Sequence, residues 1–179
     1  MLEYFIEQAD DEEAKNLMTG LWEQLHPRAI EIKAMLENEG AAPPEGFTEK
    51  DVNLQAPRLW ENEFDIMFCR VLKEISTGLY ALHLTIAYRE DIIKLYEQLT
   101  KITVTYYNRF TQYLLEKSVL SRPTYVTMPN SIDFITDKQY MKGTNILGHK
   151  RQLNMVEFGI LYRAVEGNIT GMQLLKGFA

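Results

Sequence analysis

Residue types that carry covalent or metal chemistry are scarce in this chain. Of 179 residues, one is cysteine and three are histidine. A single cysteine, Cys69, excludes an intrachain disulfide and any multi-cysteine zinc site. It follows Ile66-Met67-Phe68, with only Arg70 beside it to activate a thiol, and so reads as a small core residue. No apolar run approaches the roughly 18–20 residues of a membrane span, and no Lys/Arg-led signal segment is present. The expected setting is therefore soluble and cytoplasmic, with no membrane partner. Basic charge is also in deficit: 19 Lys and Arg stand against 25 Asp and Glu, a net charge of −6. Phosphate neutralisation needs a basic footprint, so nucleic acid is not expected as a partner. The longest basic run, His149-Lys150-Arg151, reads as a solvated loop tip. No Gly-rich phosphate loop, nucleophile elbow or suitably spaced Cys–His pair occurs. Ser118 and Ser121 fit helix ends better than nucleophiles. The expectation is of a protein that is not an enzyme, with no catalytic residues and no cofactor.

What the sequence does contain is helical periodicity. A first long helix is expected from about Asp11 to Glu39, with Asp10 or Asp11 as N-cap and Glu12 and Glu13 in the first turn. Its apolar stripe is Ala14, Leu17/Met18, Leu21, Leu25, Ala29, Ile32 and Met35/Leu36, the three-four spacing of one face. Pro27 lies inside it and predicts a kink near Glu23. Leu2 to Ile6 resembles the tail of another helix. Gly40 suits a left-handed cap, Thr48 to Asp51 suits one short turn, and Pro57 suits the first position of a second long helix running to Tyr88. That helix shows the steadiest stripe: Trp60, Phe64, Met67/Phe68, Val71, Ile75, Leu79, Leu82 and Ile86. A corner at Arg89-Glu90-Asp91, with Asp91 as N-cap, leads into a third helix reaching Leu120, antiparallel to the second. A fourth opens at Asn154, three residues before Glu157, the spacing of a capping box. Gly159, Gly167 and Gly171 each cost about 0.8–1 kcal/mol in a helix interior and suit close approach to another helix. The pattern predicts an all-α four-helix bundle, one domain over residues 1–179, with long ordered loops between the first and second and the third and fourth helices.

The loop from Arg122 to Gln152 interrupts this periodicity. It holds Pro123, Pro129, Gly143 and Gly148, yet also Tyr125, Ile132, Phe134, Ile135 and Ile146-Leu147. Those apolar groups predict an ordered strap docked along the bundle.

The sharpest chemical candidate is Glu23-Gln24-Leu25-His26. A Glu-x-x-His pair sits on adjacent turns of one helix face, from which helical bundles assemble dinuclear iron or manganese sites. Such a site needs the motif twice and two further glutamates. His83 would have to serve the second motif, but Tyr80 stands where its glutamate belongs. Glu63, Glu74, Glu97, Glu116, Glu157 and Glu166 are available carboxylates that also fit exposed faces. Metal binding through Glu23, His26 and His83 is the minor reading. No metal site is the main one. The tyrosines Tyr106, Tyr107 and Tyr113, and Met18, Met35, Met67 and Met155, read as core fillers.

Several segments resemble a family from spore-forming bacteria whose members are often labelled "putative spore coat protein". The first is Glu45-Gly46-Phe47-Thr48-Glu49-Lys50-Asp51-Val52-Asn53, followed by Ala56-Pro57-Arg58-Leu59-Trp60. The second is Leu114-Leu115-Glu116-Lys117, then Arg122-Pro123, Tyr125-Val126, Met128-Pro129 and Asp133-Phe134. The third is Leu147-Gly148, Lys150-Arg151 and Leu153-Asn154 running into Glu157, and Leu174-Leu175-Lys176-Gly177-Phe178 closes the match. The resemblance implies a ferritin-like bundle, often occurring as tandem repeats, in a spore-associated setting. It implies no catalytic residues. This sequence departs from the family by placing Ser118 where members usually carry glycine. On this resemblance it is expected to hold one unit rather than two and to lack the start of the helix that precedes Leu2. Its tail, Leu175 to Phe178, echoes Leu2 to Phe5. The function expected is structural: a self-associating protein, a homo-oligomer or a partner of other coat-type proteins, in the cytoplasm or the spore coat.

Overall fold

Asp11 opens the first long helix, its carboxylate accepting from the Ala14 N–H at 2.9 Å and satisfying one of the donors that every helix start leaves unpaired. The computed structural model describes residues 1–120, 125–132, 134–138 and 153–177. Among these the structure is all-helical, without strands: α1 (Leu2–Gln8), α2 (Glu12–Asn38), α3 (Asn62–Thr85), α4 (Glu90–Glu116) and α5 (Met155–Lys176), with a single 3₁₀ turn at Glu49–Asp51. Backbone contacts divide the chain into two compact units, Met1–Leu120 and Ser121–Ala179.

In the first unit, α2, α3 and α4 pack side by side and α1 docks on α2. Arg70 of α3 reaches Tyr107 of α4 and His83 lies against Tyr96, so α3 and α4 run antiparallel, as their short joint predicts. Arg28 of α2 meets Gln98, whereas Asp11 meets Lys117, so α2 is antiparallel to α4 as well. The core gathers where α1 joins them: Phe5, Ala14, Met18, Leu21, Ile66, Cys69, Tyr106, Phe110, Tyr113 and Leu114. Phe5 presents its edge to Trp60 and Phe68 at 6.1 Å each.

Both loop-facing ends of α2 and α4 close in the same way. Gly40 has φ +72°, its N–H bonds the Glu37 carbonyl, and the Ala41 N–H bonds that of Leu36. Ser118 has φ +60°, with matching bonds from Ser118 to Leu115 and from Val119 to Leu114. These are Schellman caps, which require a left-handed residue.

Four boundaries differ from expectation, the first being that α4 ends at Glu116 rather than Leu120. Pro57 does not begin α3, which starts at Asn62 after a Glu61 cap. Residues 57–61 are held outside the helix because the Pro57 carbonyl accepts from the Tyr4 hydroxyl at 2.6 Å and the Trp60 carbonyl accepts from Arg58 Nε at 2.6 Å. The same helix ends at Thr85, not Tyr88. Arg89, not Asp91, is the N-cap of α4; the Asp91 carboxylate instead pairs with Arg89 at 2.7 Å.

In the second unit, α5 carries the capping box that its sequence predicts. Asn154 accepts from the Glu157 N–H at 2.8 Å, and Glu157 accepts from the Asn154 N–H at 3.0 Å. A Cβ added at Gly159, Gly167 or Gly171 would meet nothing within 4 Å in this unit. In the long connection, Tyr125, Ile132, Phe134 and Ile135 are exposed. On an irregular backbone these residues share no single face. The His149-Lys150-Arg151 run and Ser121 lie outside the described residues.

Candidate functional site

The two faces of α3 are inverted relative to its sequence. Its buried residues are Asn62, Asp65, Ile66, Cys69, Arg70 and Lys73, four of them polar or charged. Within the first unit, the stripe that periodicity marks as core is open beyond its first turns: Ile75, Leu79, Leu82 and Ile86, with Leu72 beside them, are 43–64 % exposed. Their spacing alternates three and four, the seam of a helix that packs lengthwise on another helix. From Ile75 through Tyr88 the sequence contains no Asp, Glu, Lys or Arg. Sequence periodicity found this stripe, and its first turns do pack on the core through Trp60, Met67 and Phe68; the later turns lack a cover within the first unit, because the pattern marks apolarity without saying what covers it.

The polar groups that α3 buries are accommodated individually. Arg70 donates to Thr111 Oγ1 and the Tyr107 hydroxyl at 3.1 and 3.0 Å, and its guanidinium lies 5.0 Å from the Tyr107 ring centre. Asn62 donates to Asp10, which also pairs with Arg58 at 2.6 Å; both bonds hold the Asp10 carboxyl below the usual range. Asp65 is nearly inaccessible, and burial outweighs the nearby Arg58 to push its carboxyl up to about 7. Burial likewise pushes the Cys69 thiol up to about 12, with Asp65 adding to the effect. Cys69 is thus an unreactive core residue at neutral pH.

The Glu-x-x-His candidates separate. His26 stacks on Trp22 of its own helix, ring centres 4.5 Å apart and 18° from parallel. Glu23 lines a cleft between α2 and α4. His83 packs against Tyr96, 5.5 Å between ring centres. Among the described residues, no three of His, Cys, Asp and Glu cluster closely enough to hold a metal ion.

Little in the sequence points to the Glu23 cleft. It has a volume of about 650 Å³ and is walled by Glu23, Pro27 and Arg28 from α2 and by Lys101, Tyr106 and Arg109 from α4. The only sequence signal for it is Gly20, in mid-helix, whose missing side chain leaves room for the Tyr106 hydroxyl.

A family described as "Protein of unknown function (DUF3231)" matches residues 1–132. The chain belongs to the DUF3231 family. The match to DUF3231 takes in the whole first unit, including the inverted helix and the cleft. A crystal structure of a "putative spore coat protein" from Bacillus halodurans is similar in fold, with a TM-score of 0.58 at 16 % identity over 71 % of this chain and 82 % of that one. At such identity the likeness concerns the fold alone. No curated protein matches the chain. Among the described residues, no helix is long and apolar enough to cross a membrane.

Proposed function

We propose that this DUF3231 protein is a non-enzymatic, self-associating structural component whose α3 stripe is covered by a second copy of the chain. The inversion of α3 carries the reading. A helix that buries Asp65, Arg70 and Lys73 while leaving Leu79, Leu82 and Ile86 in water sacrifices hydrophobic stabilisation unless association recovers it. A two-fold contact sets the residues near its axis against their own copies, so like charges there repel across it. The uncharged run from Ile75 to Tyr88 removes that penalty.

The label on the Bacillus halodurans protein supports a sporulation-associated setting, in the coat or the cytoplasm of the developing cell. On this reading the bundle is ferritin-like, as in related chains that occur as tandem repeats, where a second unit would take the place of the second copy.

Light scattering coupled to size exclusion tests self-association. The wild-type chain elutes as a dimer or larger species at tens of micromolar, and Leu79→Lys combined with Leu82→Lys yields a monomer of unchanged helicity. A wild-type monomer at high micromolar concentration would defeat the proposal. A fluorescent fusion that stays diffuse throughout sporulation would defeat its coat location.

A further inference from the structure

In a chain of net charge −6, the α2–α4 cleft carries the opposite sign. Arg28, Lys101, Arg109 and Glu23 line it; Glu31 pairs with Arg28, so Lys101 and Arg109 against Glu23 leave an excess of one positive charge. Its volume of about 650 Å³ lies within the roughly 300–1,000 Å³ typical of small-molecule sites.

The cleft is built from interlocking parts. Tyr106 forms its floor: the side chain is buried, its hydroxyl is seated against Gly20, and the Arg109 guanidinium lies over its ring, 5.2 Å from the centre. Arg28 is held between Glu31 at 2.7 Å and Gln98 at 2.5 Å, which fixes one cation on the α2 wall. Pro27, on the same wall, has no N–H to give the Glu23 carbonyl, so that helix bond is missing and a backbone acceptor is left beside the cations. Lys101 is exposed and makes no hydrogen bond or ion pair among the described residues. The exposed Lys101 ammonium and the Arg109 guanidinium over the Tyr106 ring supply two separated anion contacts.

The geometry points to a binding site for a small organic dianion, its negative charge held by Lys101 and Arg109 and its carbon skeleton against Pro27 and Ile102. Dicarboxylates and phosphate monoesters share this chemistry. The site is independent of self-association, because none of the α3 stripe lines it.

Isothermal titration of the full chain at low salt, with succinate, phenyl phosphate, inorganic phosphate and phenol as separate probes, tests the assignment. At least one of the two organic dianions binds saturably with a submillimolar Kd, and which one binds identifies the acidic group. Added salt weakens that binding. Lys101→Gln combined with Arg109→Gln weakens it at least tenfold, while Lys94→Gln, outside the cleft, leaves it unchanged. Lys101→Glu repeats the loss without touching Tyr106, which guards against a folding defect in the double variant. Absence of saturable binding by both dianions overturns the site. So does binding that survives Lys101→Glu, inorganic phosphate alone binding as tightly as the organic probes, or phenol matching phenyl phosphate.

Discussion

The Tyr106 hydroxyl stands 2.7 Å from where a Cβ on Gly20 would sit. Replacing a mid-helix glycine with alanine ordinarily stabilises a helix by about 1 kcal/mol. Here the new methyl meets an oxygen on a buried ring, and overpacking of that kind costs roughly 1–3 kcal/mol. Gly20→Ala is therefore destabilising in the wild-type background. Tyr106→Phe removes the oxygen and leaves the ring carbon Cζ at 3.6 Å, an ordinary contact, so Gly20→Ala becomes neutral or stabilising in that background. A double-mutant cycle by urea denaturation reads the coupling. Additive effects of the two substitutions would show that the contact is not the constraint.

Ser118 and Gly40 occupy the same place in two Schellman caps, with φ +60° and +72°. A side chain in the left-handed region costs roughly 1–2 kcal/mol, which glycine avoids. Ser118→Gly is expected to stabilise the protein by about 1 kcal/mol once glycine's greater freedom in the unfolded chain is deducted. Gly40→Ala, with open space around its Cα, is expected to destabilise by a similar amount. Thermal melts of the two variants should shift in opposite directions. A Ser118→Gly variant that melts below wild type would contradict the strain argument.

Local chemistry was the most legible part of the fold. Asp11, Gly40, the Thr48–Asp51 turn and the Asn154–Glu157 box all act where sequence rules put them, because a cap depends on residues three or four positions away. The stripe of α4 was equally legible, from Leu95 and Leu99 to Phe110 and Leu114. Non-local partners were not. The start of α3 is displaced by a bond from Tyr4, 53 residues earlier in the chain. The exposure of Leu79 and the burial of Lys73 depend on which helix lies opposite. The cleft needs Arg28 and Lys101 to converge from two helices, and neither carries a local signal of doing so.

His26 offers little to a metal ion while stacked on Trp22, and Glu23 faces the α2–α4 cleft. Protein purified without chelators is expected to contain no stoichiometric iron, manganese or zinc by elemental analysis, and His26→Ala to leave its composition unchanged. Stoichiometric metal that disappears in His26→Ala would restore the dinuclear reading, with ligands drawn from beyond the described residues.

Asp65 sets a pH dependence that runs against the usual trend for a carboxylate. Its folded value of about 7 lies above the unfolded 3.8, because burial outweighs Arg58 while Glu63 and Asp10 add repulsion. The folded state thus binds this proton more tightly than the unfolded state. The stabilisation is complete below about pH 4 and is lost as pH rises through about 7. Asp10, Asp11 and Asp91 act in the opposite sense: partners hold their carboxyls low, and their contribution disappears as pH falls through the carboxylate range. The two trends place maximal stability just above the unfolded carboxylate range, at about pH 4–5, with a decline from there to about pH 7. Asp65→Asn, which keeps the shape without the ionisation, should flatten the alkaline side and exceed wild type in urea midpoint at about pH 8. A wild-type midpoint that does not fall between about pH 5.5 and 8, or a fall that persists in Asp65→Asn, would show that Asp65 ionises in the folded protein without strain.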